Sequence, residues 1–342
     1  MAYSLTTARF IDMRLENKSV LVTGADGFIG SRLVEELVAR GARVTAMAQY
    51  NSFNYWGWLE DIPVLEQVRV IAGDVRDAHF CHSLVRDIDV IFHLAALIPI
   101  PYSYEAPDSY VDTNIRGTLN ICQAARAAGV AKLIHTSTSE VYGSARCIPM
   151  DENHPLTPQS PYSATKIGAD SMALSFHYSF GLPVVIGRPF NCYGPRQSAR
   201  AVIPTIITQI ASGMTEVRLG DVSTTRDFTY VEDTCRGFAG IAEYDGGLGE
   251  VFHIGSQQEI SIGDLFHAIA DLMHSDARIV QDEARVRPPG SEVVRLCCDN
   301  SKLFAATGFK PSVSLTEGLT RTVAWYRDER NLARFKSHLY NV

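Results

Sequence analysis

No apolar run in the 342-residue sequence approaches the roughly 18 residues that cross a bilayer, so nothing in it reads as a membrane span. The first fifteen residues also lack the continuous apolar core of a signal peptide and read as a short arm before the fold. Cysteine is scarce and odd in number: the seven (Cys81, Cys122, Cys147, Cys192, Cys235, Cys297, Cys298) form no C-x-x-C pair, which argues against a disulfide framework and against a zinc site, so no metal is expected. They read as buried reduced thiols in cytoplasm. A basic excess is missing too, with 31 Lys and Arg against 38 Asp and Glu and a net charge of -7, so nothing points to nucleic acid. An anionic ligand would need its own local pocket. Low-complexity linkers and internal repeats are absent, which leaves one large α/β domain or two domains sharing a cleft.

What is present begins with a β-branched strand, Ser19-Val20-Leu21-Val22-Thr23, running directly into Gly24-Ala25-Asp26-Gly27-Phe28-Ile29-Gly30. An amphipathic helix over 31–40 and a second strand over 43–48 complete a βαβ unit. Glycines at G-x-x-G-x-x-G spacing between strand and helix suit a tight turn, close backbone approach to a pyrophosphate and close helix packing, with the phosphates at the helix N-terminus. That assigns Gly24, Gly27, Phe28, Ile29 and Gly30 to a dinucleotide. After its second strand such a site usually carries an acid for the adenosine ribose, but here stand Ala48-Gln49-Tyr50-Asn51-Ser52. The missing carboxylate leaves NAD or NADP open, and the lack of an arginine there favours NAD.

A third strand is predicted over 68–75, ending in Asp74-Val75, where Asp74 either binds the adenine amino group or caps the next helix. A fourth, over 90–96, ends in Leu94-Ala95-Ala96, small residues against which a cofactor fits; His93 within it reads as a core histidine. The pattern over 113–128 is helical, with Asn114 near its start as a cap or brace.

The chain is organised around Ser137-Thr138-Ser139-Glu140-Val141-Tyr142-Gly143 and Tyr162-Ser163-Ala164-Thr165-Lys166. The first follows a buried strand over 132–138 whose end delivers Thr138, Ser139 and Glu140 to a crevice. On a helix over 162–180, Tyr162 and Lys166 share one face, so an ammonium near the phenol would favour its deprotonated form and make it a general base for an alcohol. Strands and helices alternate up to a strand over 183–188, as in a doubly wound parallel sheet of Rossmann type. The expected division is 16–188 for dinucleotide binding, with later segments interleaved, and mainly 189–330 for a smaller α/β substrate-binding lobe with helices over 203–212, 262–274 and 315–328. Arg188, Arg196, Arg226, Arg285 and Arg287 recur in this half, placed by the pattern in loops; the planar guanidinium suits a diphosphate.

These motifs, with Gly73-Asp74-Val75, His93-Leu94-Ala95-Ala96, Arg188-Pro189-Phe190-Asn191-x-Tyr193-Gly194-Pro195-Arg196 and Arg226-Asp227-Phe228-x-Tyr230-Val231-x-Asp233, resemble the extended short-chain dehydrogenase/reductases that act on nucleotide sugars. Within them, residues 50–59 (Tyr-Asn-Ser-Phe-Asn-Tyr-Trp-Gly-Trp-Leu) and 195–207 look like the 4,6-dehydratases of the legionaminic acid route, which act on GDP-N-acetylglucosamine. The resemblance implies a cytoplasmic enzyme of cell-surface polysaccharide biosynthesis. It would be a homodimer, paired through the helices at 113–128 and 162–180, with tightly held, recycled NAD. Tyr162 would be the base for the sugar 4-hydroxyl, Lys166 its partner on the nicotinamide ribose, and Thr138 a hydrogen-bond partner of the same hydroxyl. Asn191, Arg196, Val202, Arg226, Arg287 and Glu292 would bind the diphosphate sugar, and Asn114 would belong to the cofactor side. One departure matters: dTDP-glucose 4,6-dehydratases carry Asp-Glu where this chain has Ser139-Glu140, the form shared by GDP-mannose 4,6-dehydratases and UDP-glucuronate decarboxylases. Trp56 and Trp58 receive no chemistry.

Overall fold

The structure, a computed structural model, describes residues 13–340, so most of the N-terminal arm lies outside the described residues. Where the arm enters, Leu15 is fully buried and its N–H donates to the Glu243 carboxylate.

Twelve strands follow among the described residues: β1 Ser19–Thr23, β2 Arg43–Gln49, β3 Arg69–Gly73, β4 Val90–His93, β5 Lys132–Thr136, β6 Val184–Pro189, β7 Asn191–Tyr193, β8 Glu216–Leu219, β9 Thr225–Tyr230, β10 Val251–Ile254, β11 Glu259–Ser261 and β12 Arg278–Gln281. Seven form one sheet in the order β10-β6-β5-β4-β1-β2-β3, parallel throughout. Helices cover both faces, which is why successive residues of β1, β4 and β5 are buried instead of alternating in and out. Strand order reverses between β1 and β4, and ligands bind outside the carboxyl ends of strands at such a switch point. Both the glycine loop after β1 and the small residues after β4 open there.

The second lobe holds the β11-β9-β7 and β12-β8 sheets, but the chain is interleaved. The helix Val231–Glu243 returns to pack on the first helix, and β10 returns to pair with β6.

Several boundaries differ from the sequence reading. The first helix is Phe28–Ala39, so the end of the glycine motif is already its first turn. β3 stops at Gly73, and Asp74 falls in the following turn; the helix Ala78–Leu84 is capped by Asp77 instead, whose side chain accepts the Phe80 N–H. Asn114 lies in a π-helical stretch, Val111–Arg116, ahead of the helix Gly117–Ala128, because helical structure already begins at Pro107. Arg188 and Arg226 are on β6 and β9 rather than in loops. Five of the seven cysteines are buried as expected, but Cys147 is exposed and Cys192 only half-buried.

Candidate active site

The helix Phe28–Ala39 begins at Gly27 with no side-chain cap and no acid in its first turn. Its first N–H groups therefore have no partner inside the helix, and with the positive end of the helix dipole they form an anion cradle. Gly24 turns the chain at φ +66°, where a Cβ would sit 2.9 Å from the Ala95 amide nitrogen. A Cβ on Gly30 would lie 2.1 Å from the Gly24 carbonyl oxygen, so helix and strand could not close. Across the crevice, the Leu94 and Ala95 N–H groups both donate to Thr23 Oγ1 at 3.1 Å, and Ala96 continues the same loop. These features fit a dinucleotide pyrophosphate lying on bare backbone.

Other residues expected on the cofactor side are placed differently. Arg76 grips the Asp74 carboxylate through Nε and Nη2, holding it below the usual carboxylate range, and Val75 is buried against Gly117. Asn114 is 1% exposed and spends its amide on Leu97 N–H (2.8 Å), Leu97 C=O and Thr165 Oγ1 (both 3.0 Å). It braces the crevice wall rather than facing a ligand. His93 is a core histidine, set between Thr23 Oγ1 and Thr118 Oγ1, and burial lowers its pKa.

The catalytic loop leaves β5 in extended conformation. Thr138 caps the short 3-10 turn Ser139–Tyr142 by accepting the Glu140 N–H at 3.2 Å, and Gly143 closes it at φ +63°. Ser139 is buried, whereas Thr138 and Glu140 are partly open. Facing them, the helix Pro161–Phe180 starts one residue ahead of the expected 162, where Ser160 and Ser163 form a reciprocal capping box with Pro161 in the first turn. Tyr162 therefore sits in the first turn, hydrogen-bonded to the Thr138 side chain.

Lys166, one turn on, donates from Nζ to the Thr136 carbonyl at 2.6 Å. Burial pushes its pKa down to about 8, and burial pushes the Tyr162 phenol up, with Glu140 adding to that and Thr138 opposing it. Burial is thus the largest influence on the phenol, and the ammonium one turn away is hydrogen-bonded to a backbone carbonyl.

The second lobe brings Arg226, Arg287 and Glu292 together. Arg226 Nη2 donates to Glu292 Oε1 at 3.3 Å, and Arg287 Nη1 lies 3.8 Å from that oxygen and 3.9 Å from Glu140 Oε2. Arg287 Nη1 and Asn191 Oδ1 are buried without a hydrogen-bond partner among the described residues. Burying such groups without a hydrogen bond is costly, so both keep capacity for a polar ligand. Val202 opens the helix Val202–Ala211 and is half-buried.

Two arginines leave this group. Arg196, at φ +73°, turns to the first helix and pairs with Glu35 (2.9 Å) and Ser31 Oγ (3.3 Å). Arg188 is 3% exposed and locked to Asp170, Ser137 and Tyr142 behind the catalytic loop. The sequence reading missed Asp170, although an acid one turn beyond the lysine on the same helix face was visible. Trp58 packs edge-on against Trp325 and stacks on Phe335, with Arg334 over its ring, so the Trp-Gly-Trp stretch is a clasp to the C-terminal segment.

A family model described as GDP-mannose 4,6 dehydratase matches residues 21–322. A dTDP-glucose 4,6-dehydratase of Streptomyces antibioticus is 34% identical over 316 residues, 91% of this chain and 93% of that one. Among solved structures, the dTDP-glucose 4,6-dehydratase of Streptomyces venezuelae with NAD bound superposes with a TM-score of 0.82 at 34% identity, covering 91% of this chain and 98% of the other. The UDP-glucuronic acid 4-epimerase of Bacillus cereus, in complex with UDP-glucuronic acid and NAD, gives 0.83 at 30% identity, covering 90% and 98%.

Proposed function

The chain belongs to the GDP-mannose 4,6-dehydratase family, among the NAD-dependent nucleotide-sugar dehydratases and epimerases of the short-chain dehydrogenase/reductase type, and we propose that its own reaction is a 4,6-dehydration. Its cofactor is NAD. Held at the Gly24–Gly30 cradle, it would supply reversible hydride storage between C4 and C6 and no net oxidation.

The protein's part is proton management and positioning. Tyr162 removes the proton of the sugar 4-hydroxyl while Thr138, hydrogen-bonded to the phenol, orients it. The C4 ketone makes the C5 proton acidic, and Glu140 takes it. As the only carboxylate in the catalytic loop, Glu140 passes that proton to the departing C6 hydroxyl, which leaves as water; a solvent proton then enters at C5 through Glu140, and the O4 proton held by Tyr162 is released to solvent. Arg226, Arg287 and Asn191 hold the diphosphate or nucleotide ribose, Glu292 the ribose, and Val202 lines the same side. Serine at 139 leaves no second acid for the leaving group, so both proton transfers fall to one residue.

The observation that carries this reading is Glu140. Its carboxylate stands 3.9 Å from Arg287, at the ligand side of the second lobe, and its charge acts on Tyr162. A 4-epimerase, which rotates the keto sugar and reduces its other face, needs no base at C5. Decarboxylation of a UDP-uronate shares the first step, and resemblance over 50–59 and 195–207 is what weighs against it. A dinucleotide-sensing regulator would have no use for Tyr162 and Lys166 together.

The substrate we propose is GDP- or UDP-N-acetylglucosamine, converted to the 4-keto-6-deoxy sugar by a cytoplasmic homodimer. Incubating the purified protein with each nucleotide sugar tests this: the product should be lighter by one water and show a C6 methyl signal in proton NMR. Unchanged mass with inverted C4 would establish the epimerase, and carbon dioxide from a UDP-uronate the decarboxylase.

A further inference from the structure

The position after β2 that ordinarily carries a ribose-binding acid is filled by Gln49 and Tyr50, yet the end of β2 does have a carboxylate beside it. It comes from the opposite side, out of the glycine loop. Asp26 Oδ2 accepts the Gln49 N–H at 3.0 Å, which puts the carboxyl group at the C-terminal end of β2, next to the first turn of the pyrophosphate cradle. We propose that Asp26 takes the place of the missing acid, accepts hydrogen bonds from the adenosine ribose hydroxyls, and selects NAD over NADP.

Three features support a ligand role over a loop brace alone. The groups that hydrogen-bond this carboxylate are backbone N–H groups, of Gln49 and of Asp26 itself. Among the described residues no basic side chain neutralises it, so capacity remains for a vicinal diol. A 2′-phosphate at the same spot would set like charges together without a cation between them. Arg76, the basic side chain beyond β3, is already spent on Asp74.

The second feature is how firmly Asp26 is held. The Trp58 N–H donates to the Asp26 carbonyl at 3.0 Å. Gly57, at φ +59°, lies so close that a Cβ there would be 2.5 Å from the same oxygen. The Trp-Gly-Trp stretch thus has a use: glycine allows the approach, and Trp58 is pinned to Trp325 and Phe335. Third, Asn51 rigidifies the intervening loop, its Oδ1 accepting from Phe53 N–H (3.1 Å) and Tyr55 N–H (3.3 Å) and its Nδ2 donating to the Tyr55 carbonyl (2.7 Å). A ribose ligand needs this kind of support, because a loosely held carboxylate discriminates poorly.

The inference rests on NAD as cofactor and not on which sugar reaction follows, so it is tested without substrate. Asp26→Asn preserves an acceptor for the Gln49 N–H while removing the charge; Asp26→Ala removes both. NADH and NADPH binding to cofactor-stripped protein is titrated by fluorescence, and the dinucleotide carried through purification is identified by mass spectrometry. Wild-type protein should carry NAD. Both variants should bind NADH at least tenfold more weakly, with NADPH binding unchanged or improved, so that the preference shrinks. Should Asp26→Ala fail to fold by circular dichroism, Asp26→Asn decides alone. If Asp26→Asn binds NADH as wild type does, or loses NADH and NADPH by the same factor, Asp26 only braces the loop and the proposal is overturned.

Discussion

Asp170 Oδ2 and Arg188 Nη2 meet at 2.7 Å in the interior, each side chain less than 5% exposed, directly behind the catalytic loop. The same Asp170 oxygen accepts from Ser137 Oγ at 2.6 Å, and Arg188 reaches both Ser137 Oγ and the Tyr142 hydroxyl. The pair therefore grips the loop at both ends and leaves Thr138 and Glu140 between. Breaking one side strands a buried charge, so Asp170→Asn and Arg188→Met should each destabilise the protein by about 3–5 kcal/mol in denaturant unfolding. The double variant should recover part of that loss. If each single variant costs under about 1 kcal/mol, the pair does not organise the loop.

Acid should act on this same interior. Burial alone would raise the Asp170 pKa, but the His135 hydrogen bond and the nearby Arg188 hold it well below the usual carboxylate range. A depressed folded pKa contributes stability that is present above the unfolded value, about 4, and is lost as pH falls below it. His253, hydrogen-bonded to Tyr142 at 2.5 Å, is pushed down to about 3 by burial and then by Arg188. It stays neutral when folded but gains a proton when unfolded below about pH 6.5, so stability falls from there toward pH 3. Thermal midpoints should be level down to about pH 6.5, decline below it, and decline more steeply below about pH 4. Burial also lowers His93 and His135, which add to this slope, so the His253→Gln variant should show it shallower but not abolished, and a wild-type curve flat to pH 4 would contradict the assignment.

Glu140→Gln keeps size and hydrogen-bonding capacity while removing the base. In single turnover it should accumulate the absorbance of reduced cofactor and exchange little solvent deuterium into C5, whereas Tyr162→Phe should show neither signal. Near wild-type formation of 4-keto-6-deoxy product by the Gln variant would remove Glu140 from the C5 step.

Gly27 separates cofactor binding from folding. Its φ is -83°, an ordinary value, and a Cβ there would meet only the Gly24 carbonyl oxygen, at 3.3 Å. Gly27→Val should therefore fold with an unfolding midpoint close to wild type but emerge from purification with at least tenfold less bound dinucleotide, because the branched side chain occupies the pyrophosphate cradle. Full retention of NAD would place the phosphates elsewhere.

The sequence alone determined the parallel sheet, the glycine cradle and the Tyr162–Lys166 helix, because each is encoded in contiguous residues. Continuous apolar runs make buried strands, glycine spacing makes the turn, and Ser160-Pro161 starts the helix where Tyr162 must stand. Roles that depend on partners distant in sequence were decided only by tertiary structure. Nothing local marks Arg188 as a core ion pair and Arg287 as a ligand-side arginine: both are single arginines next to prolines or other charges, and burial with Asp170 or approach to Glu140 separates them. Arg196 likewise reads as a diphosphate ligand until the fold sets it against Glu35, 161 residues away. The acid absent from the end of β2 could not be found by looking along β2, since the carboxylate that reaches that point belongs to Asp26, 23 residues earlier. Hydrophobic periodicity is a property of neighbours along the chain, whereas the partner of a charge is a property of neighbours in space.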